Sequence, residues 1–160
     1  MKETIAGNTE RYMCFNLGSE EYAVPLLTIR EVVALPKVAP IPQAPPYFLG
    51  LMNLRGNIIP LVDLRLKMGI QASSKSESVV VILDIETTLI GMMVDSINHV
   101  LNAPRDKIAP APKPDKSGKY NYITGVYRKD TNLVLILDIK NALDSSDHNL
   151  ISATIPGKAA

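Results

Sequence analysis

From about residue 10 to residue 143 the chain is built of short apolar runs broken by small polar interruptions, and little of it shows the i, i+3, i+4 spacing of an amphipathic helix. "RYMCFNLGSEEYAVPL" and "SVVVILDIETTLIGMMV" are each two apolar runs around a polar centre, Gly18 to Glu21 in one and Glu86 to Thr88 in the other, which predicts two β-hairpins. Each is followed by a strand or single helical turn stopped by proline, "TIREVVALPKV" and "SINHVLNAPRDKI". "FLGLMNLRGNIIPLVDLR", residues 48 to 65, is apolar except around Asn53 to Asn57. Gly56 can take the positive φ of a tight reversal, so this stretch predicts a third hairpin with Arg55 held at its tip. Pro60, inside the second strand of that hairpin, cannot donate to a ladder and implies an edge or a bulge. "DIKNALDSS" predicts a short helix after the last strand, and "APPYFLGLM" at most one turn. Residues 1–9 and 144–160 lack apolar periodicity and are expected to be loose tails, and removing 1–8 or 150–160 is expected to leave folding intact.

The pattern occurs twice. Displacing the chain by 75 positions lays "GLMNLRGNIIPLVDL" on "GVYRKDTNLVLILDI", so that Gly50 meets Gly125, Asn57 meets Asn132 and Asp63 meets Asp138. Displacing it by 68 lays "AVPLLTIREVVALPKVAPIP" on "GMMVDSINHVLNAPRDKIAP", matching Ile29 with Ile97, Val32 with Val100 and Pro36 with Pro104. The difference of seven residues falls in "APKPDKSGKYNY", whose Pro, Gly, Ser and Lys content is that of an exposed connection. Each half, approximately 10–68 and 76–143, then holds about five short strands. Strands this short and apolar on both faces need cover on each side. Two small five-stranded β-barrels, packed together, supply it.

Composition narrows the function. A chain of 160 residues is one domain by length and buries roughly two thirds of its unfolded surface. The single Cys14 excludes an internal disulfide framework, and His99 and His148 lie in no sequence cluster of metal ligands, so no metal is expected. No apolar run reaches the length of a membrane span, and "MKETIAGNTE" lacks the apolar core of a signal peptide, so the cytosol is the expected compartment. Lys plus Arg at 17 against Asp plus Glu at 16, with no Trp and two Phe, argues against a nucleic-acid partner. There is no phosphate-binding glycine loop, nucleophile elbow or His-Glu-x-x-His. Asp63, Asp84, Asp95 and Asp138 each close an apolar strand, where aspartate commonly bonds its own backbone, and they are read as turn residues rather than acid–base pairs. Cys14 and the Met92–Met93 pair are read as packing. Arg55 remains: its repeat-mate is Asp130, and Glu31 likewise matches His99, so the halves share apolar positions and differ in charge. The competing reading has Arg55 merely packing its stem and bonding turn carbonyls.

"NLRGNIIPLVDLR", with "EYAVPLLTIREV" upstream and "IGMMVDSINHVL" and "YITGVYRKDTNLVLILDI" downstream, closely resembles the CheW-type chemotaxis coupling proteins over about residues 10 to 143. The resemblance implies a mainly β fold of two small SH3-like barrels around a shared core, with no catalytic activity and no cofactor. It implies a scaffold that links the cytoplasmic tips of chemoreceptors, the methyl-accepting chemotaxis proteins, to the regulatory domain of a CheA-type histidine kinase. Such a protein is cytoplasmic and recruited to receptor arrays at the inner face of the membrane, with the receptor tip docked between the barrels. Carried over residue by residue, Ile29, Glu31, Gly50, Asn53, Arg55 and Val100 match positions the family uses for receptor and kinase contacts. The loop near Lys113 and Pro114 departs from better-known members in offering no aromatic side chain to a second kinase contact. The alternatives are the same module within a related coupling or kinase-regulatory protein, and a small-barrel nucleic-acid-binding protein. The 17 residues after 143 leave no room for a fused receiver domain, which favours the stand-alone adaptor.

Overall fold

The computed structural model describes residues 9–71, 78–111 and 122–154. The expectations for residues 1–8, for most of the Pro-rich loop and for Lys113 and Pro114 lie outside those residues. The chain is mainly β. Its first repeat runs β1 (Thr9–Leu17), β2 (Glu20–Pro25), β3 (Ile29–Ala34), β4 (Val38–Ala39), β5 (Phe48–Leu54), β6 (Asn57–Asp63) and α1 (Leu64–Met68). The second runs β7 (Val79–Ile85), β8 (Thr88–Val94), β9 (Ser96–Pro104), β10 (Ile108–Pro110), β11 (Ile123–Lys129), β12 (Asn132–Leu137) and α2 (Ile139–Ala142), and α3 (Ser145–Thr154) follows. The displacement of 68 carries β2 onto β8, and that of 75 carries β5, β6 and α1 onto β11, β12 and α2. At the end of both repeats an aspartate stops the strand and starts a helix: Asp63 accepts from the Arg65 N–H and Asp138 from the Asn141 N–H.

Sheet A has the order β10-β11-β12-β2-β1-β9 and sheet B the order β3-β7-β8-β6-β5-β4. The two orders interconvert when each strand is replaced by its repeat-mate, so the duplication is visible in the topology. In each sheet the strands at the two ends follow one another in the chain, β3 to β4 across three residues and β9 to β10 across Arg105–Lys107, which requires the sheet to curl into a barrel. The contiguous halves 10–68 and 76–143 are therefore units of repetition but not units of structure. The β1–β2 hairpin of the first repeat completes the barrel of the second, and β7–β8 completes the barrel of the first, through the β12–β2 and β6–β8 parallel ladders. Each sheet also counts a sixth strand, the short β4 or β10.

The exchange explains the runs that are apolar on both faces. Along β7, Val80 and Ile82 fill the interior of barrel B with Met52, Ile59, Leu61 and Met93, while Val81 and Leu83 face the other way. Along β2, Ala23 fills the interior of barrel A with Cys14, Leu101 and Ile136, while Tyr22 and Val24 face outward from it. The outward sets meet in a third core between the barrels, which holds Phe15, Leu17, Val62, Met92 and Leu137. The exchanged hairpins thus bury alternate residues in two cores at once. Pro60 lies in an inner strand and not at an edge, but β6 pairs with β8 only from Leu61 onward, so the N–H that Pro60 lacks falls outside that ladder.

The expectation of a loose tail after residue 144 fails for residues 145–154. They form α3, which buries Ile151 in the inter-barrel core. Its anchor is Asp147, almost fully buried, whose carboxylate accepts from the Asp144 N–H at 3.0 Å, from Lys67 Nζ at 2.8 Å and from the Tyr47 hydroxyl. Lys67 also lies 4.5 Å from the centre of the Tyr47 ring. Burial alone lowers the Lys67 pKa, but its hydrogen bonds to Asp147 and Tyr47 more than offset this and raise it above its ordinary value. A truncation after Asp144 is expected to lose about 2 kcal/mol in urea unfolding, the worth of one buried isoleucine, with more from the stranded Lys67. An unchanged midpoint would mean that α3 contributes nothing to the fold.

Candidate functional site

The β5–β6 hairpin closes with a two-residue turn. Leu54 pairs with Asn57, and both intervening residues take positive φ, 52° at Arg55 and 89° at Gly56. That is the turn whose twist matches the flanking strands, and it is the reason a glycine follows the arginine. Asn53 fixes it further, its Oδ1 accepting from the Gly56 N–H at 2.8 Å. Arg55 thus stands at a preset place with its side chain 69% exposed, and its guanidinium pairs with the Glu31 carboxylate. Glu31 lies on β3, the end strand of sheet B, so this ion pair joins that end strand to the β5–β6 turn across the curled sheet. A pair this exposed is worth about 0–1 kcal/mol, which leaves Arg55 able to exchange Glu31 for another carboxylate at small cost.

Arg55, Glu31 and Asn53 therefore form one group. Gly50 belongs to the same hairpin for a different reason. It is buried, its φ is 144°, and a Cβ there would lie 2.1 Å from the Ala39 carbonyl oxygen, so the position is set by the close approach of β4. Ile29 is half-buried and packs on the inter-barrel core. Val100 sits apart on β9 of sheet A, paired with Met13. It is 42% exposed, and its repeat-mate Val32 on β3 is 38% exposed, so the equivalent end strands of the two barrels each present a valine to solvent.

Two groupings were not legible in the sequence. Arg65, Asp63 and Asp95 form a buried network in which Arg65 Nε and Nη2 reach the two Asp63 oxygens at 2.9 and 3.1 Å, and Nη1 reaches Asp95 Oδ1 at 2.5 Å. The other Asp95 oxygen accepts from the Gly18 N–H at 2.5 Å. The turn reading thus holds for Asp63, Asp84 and Asp138, each accepting from a backbone N–H two or three residues on, while Asp95 bonds across the fold to Gly18 and Arg65. Second, His99 is not isolated: ligand atoms of Cys14, Glu21 and His99 all lie within 4.8 Å of one another. Cys14 and His99 are register partners on β1 and β9, an adjacency that a sequence separation of 85 positions conceals. Burial, reinforced by the Glu21 charge, pushes the Cys14 thiol up to about 11.

The model of the CheW-like domain matches residues 11–147, nearly the whole described chain. The chain belongs to the CheW-like family. Among relatives, a chemotaxis protein CheW from Klebsiella aerogenes is 32% identical over 150 residues, covering 92% of this chain and 90% of that protein. A chemotaxis protein CheW from Helicobacter pylori is 31% identical over 150 residues, covering 89% of this chain and 90% of that protein. The fold is similar to the crystal structure of the scaffolding protein TtCheW from Thermoanaerobacter tengcongensis, with a TM-score of 0.73 and 29% identity over 81% of this chain and 88% of the other. In this CheW-like chain the Asn-Leu-Arg-Gly stretch is the turn just described: Asn53 caps it, Gly56 permits it and Arg55 is what it presents.

Proposed function

We propose that this protein is a non-catalytic scaffold that couples chemoreceptors to the regulatory domain of a CheA-type histidine kinase, with Arg55 and Glu31 at a partner contact. The observation that carries the reading is a charged group locked on a type I′ turn, exposed and only weakly held from within. The relatives from Klebsiella aerogenes and Helicobacter pylori are chemotaxis proteins, and the structurally similar TtCheW is a scaffolding protein, which supports both the context and the role. The kinase's regulatory domain and the receptor tips as partners, and Ile29, Gly50, Asn53 and Val100 as further site positions, follow from the family resemblance. In this reading Ile29, half-buried, and Gly50, buried, belong to the same surface. This reading puts the protein in the cytoplasm, recruited to receptor arrays at the inner face of the membrane. Among the described residues no helix is long and apolar enough to cross a membrane.

The test is Arg55→Glu in a reconstituted receptor–kinase assembly. Its melting temperature is expected to stay within a few degrees, because exposed substitutions usually change stability by about 0.5 kcal/mol or less. Kinase control is expected to fail, since losing a charge-assisted interface contact costs about 2 kcal/mol, roughly thirtyfold in affinity. Asp130→Ala at the repeat-mate is expected to couple nearly normally. The charge-swapped double variant Glu31→Arg with Arg55→Glu restores the internal pair and is expected to remain uncoupled. Recovery in that variant would make Arg55 a purely internal partner of Glu31, and normal coupling in Arg55→Glu would remove it from the site.

A further inference from the structure

The two barrels are copies, and their mouths differ in kind. In barrel B the positions equivalent to Cys14 and Glu21 are Ile82 and Leu89, and the position equivalent to Lys129 is Leu54. All three pack in the barrel B core, while Glu31, the mate of His99, turns away to Arg55. An apolar plug on one side is thus replaced on the other by a thiol, a carboxylate, an imidazole and an amine. The replacement is not scattered: Glu21, Cys14 and His99 come from three adjacent strands, β2, β1 and β9. A register shift at Cys14/Phe15 passes over Asn98 and brings His99 opposite Cys14.

We propose that Cys14, Glu21 and His99 form a binding site for a divalent transition metal ion of the zinc class at the mouth of barrel A. One sulfur, one nitrogen and one oxygen ligand suit zinc or cobalt and disfavour magnesium or calcium, which take oxygen alone. Tetrahedral zinc spaces its ligand atoms about 3.5 Å apart, so the group closes by roughly an ångström around the ion. Cys14 is fully buried and provides the fixed ligand, while Glu21 and His99, with side chains 18% and 35% exposed, can turn inward. Asn98 Nδ2 donates to Glu21 Oε2 at 2.6 Å and aims that carboxylate. Three protein ligands leave a fourth position for water.

Lys129 is the competitor. Its Nζ lies 2.9 Å from His99 Nε2, so the amine stands against a ring nitrogen that a metal ion would need. On metal binding the Cys14 S–H proton leaves to solvent as the metal–sulfur bond forms. The His99 lone pair passes to the metal, the ring proton resides on the other nitrogen, and the lysine withdraws. The two anionic ligands, thiolate and carboxylate, balance the ion's charge.

The experiment uses chelator-treated, tag-free protein titrated with Zn2+ by calorimetry and with Co2+ by absorption. One equivalent of each is expected to bind, cobalt with the near-ultraviolet charge-transfer band of a thiolate ligand. Cys14→Ser and His99→Gln are each expected to weaken Zn2+ binding by at least about tenfold, since even the partners that orient metal ligands are worth that much. His99→Gln and Glu21→Gln change partly exposed side chains and keep the test valid if Cys14→Ser folds poorly. Lys129→Met is expected to bind more tightly than the parent, and His148→Gln the same. Absence of the thiolate band, binding indifferent to His99→Gln, or no tightening in Lys129→Met would each overturn the site as proposed.

Discussion

Arg65→Ala is expected to lower stability by about 3–5 kcal/mol, the cost of breaking a buried ion pair by removing one partner. The Arg65 side chain is 7% exposed, and the Asp63 and Asp95 side chains it holds are 8% and 3% exposed. Without the guanidinium two carboxylates are left in the interior without the cation that they share. The damage extends beyond α1, because Asp95 ties the β8–β9 junction to the Gly18 N–H of the β1–β2 turn. One side chain thus joins the end of a barrel B strand to the hairpin donated to barrel A. Lys140 is the internal control: it is the repeat-mate of Arg65, but it is exposed and pairs with Glu86 at the surface. Lys140→Ala is expected to leave the urea midpoint nearly unchanged. Urea unfolding of the two variants decides the matter, and equal losses would remove the network from any structural role. At this chain length the Arg65→Ala melting temperature is expected to drop by about 10 °C.

Gly50→Ala is expected to cost roughly 3 kcal/mol, from about 1–3 kcal/mol of backbone strain at positive φ and a comparable cost for overpacking. An added Cβ would meet the Ala39 carbonyl oxygen at 2.1 Å and its carbon at 2.7 Å, and backbone in a ladder cannot step aside as a side-chain tip can. The β4–β5 pairing must open, and with it the closure of barrel B. Gly125 is the matched comparison. Its Cβ would meet Ile108 Cγ2 at 2.6 Å and the Ala109 oxygen at 3.3 Å, so a side-chain rotation relieves most of the contact. Gly125→Ala is therefore expected to be the milder of the two in thermal unfolding. Loss of partner coupling in a Gly50 variant should then scale with loss of fold. A Gly50→Ala protein that melts normally yet fails to couple would instead make Gly50 a contact residue.

The repeat was legible because Asn57, Asp63 and Gly50 keep their mates at one spacing, and that spacing fixed which strands and which short helix correspond. The exchange of hairpins was not, for a physical reason: two like units offer the same ladder edges and apolar faces to themselves and to each other. Apolar residues on both faces of "SVVVILDI" demand two covers but do not name them. The Arg55 turn was readable because its chemistry is local, a charged residue and a glycine between apolar runs. Arg65 was not, because its burial depends on Asp95 and Gly18, which only the folded chain brings to it. α3 escaped for a related reason. "SSDHNLISAT" carries no apolar stripe, and what docks it is one buried isoleucine and an aspartate held by Lys67.

Because each barrel borrows a hairpin from the other repeat, neither can be completed from its own repeat as the chain leaves the ribosome. Barrel B waits for β7 and β8, and barrel A, whose β1 and β2 are made first, waits for β11 and β12 near the other end. Until then the β1–β2 hairpin carries two apolar faces and lacks its outer partner strands, the condition in which nascent chains pair wrongly or recruit chaperones. Cleavage in the connection between α1 and β7 would not yield two independent halves. It would yield two fragments, each holding what the other lacks, that regain structure only by combining.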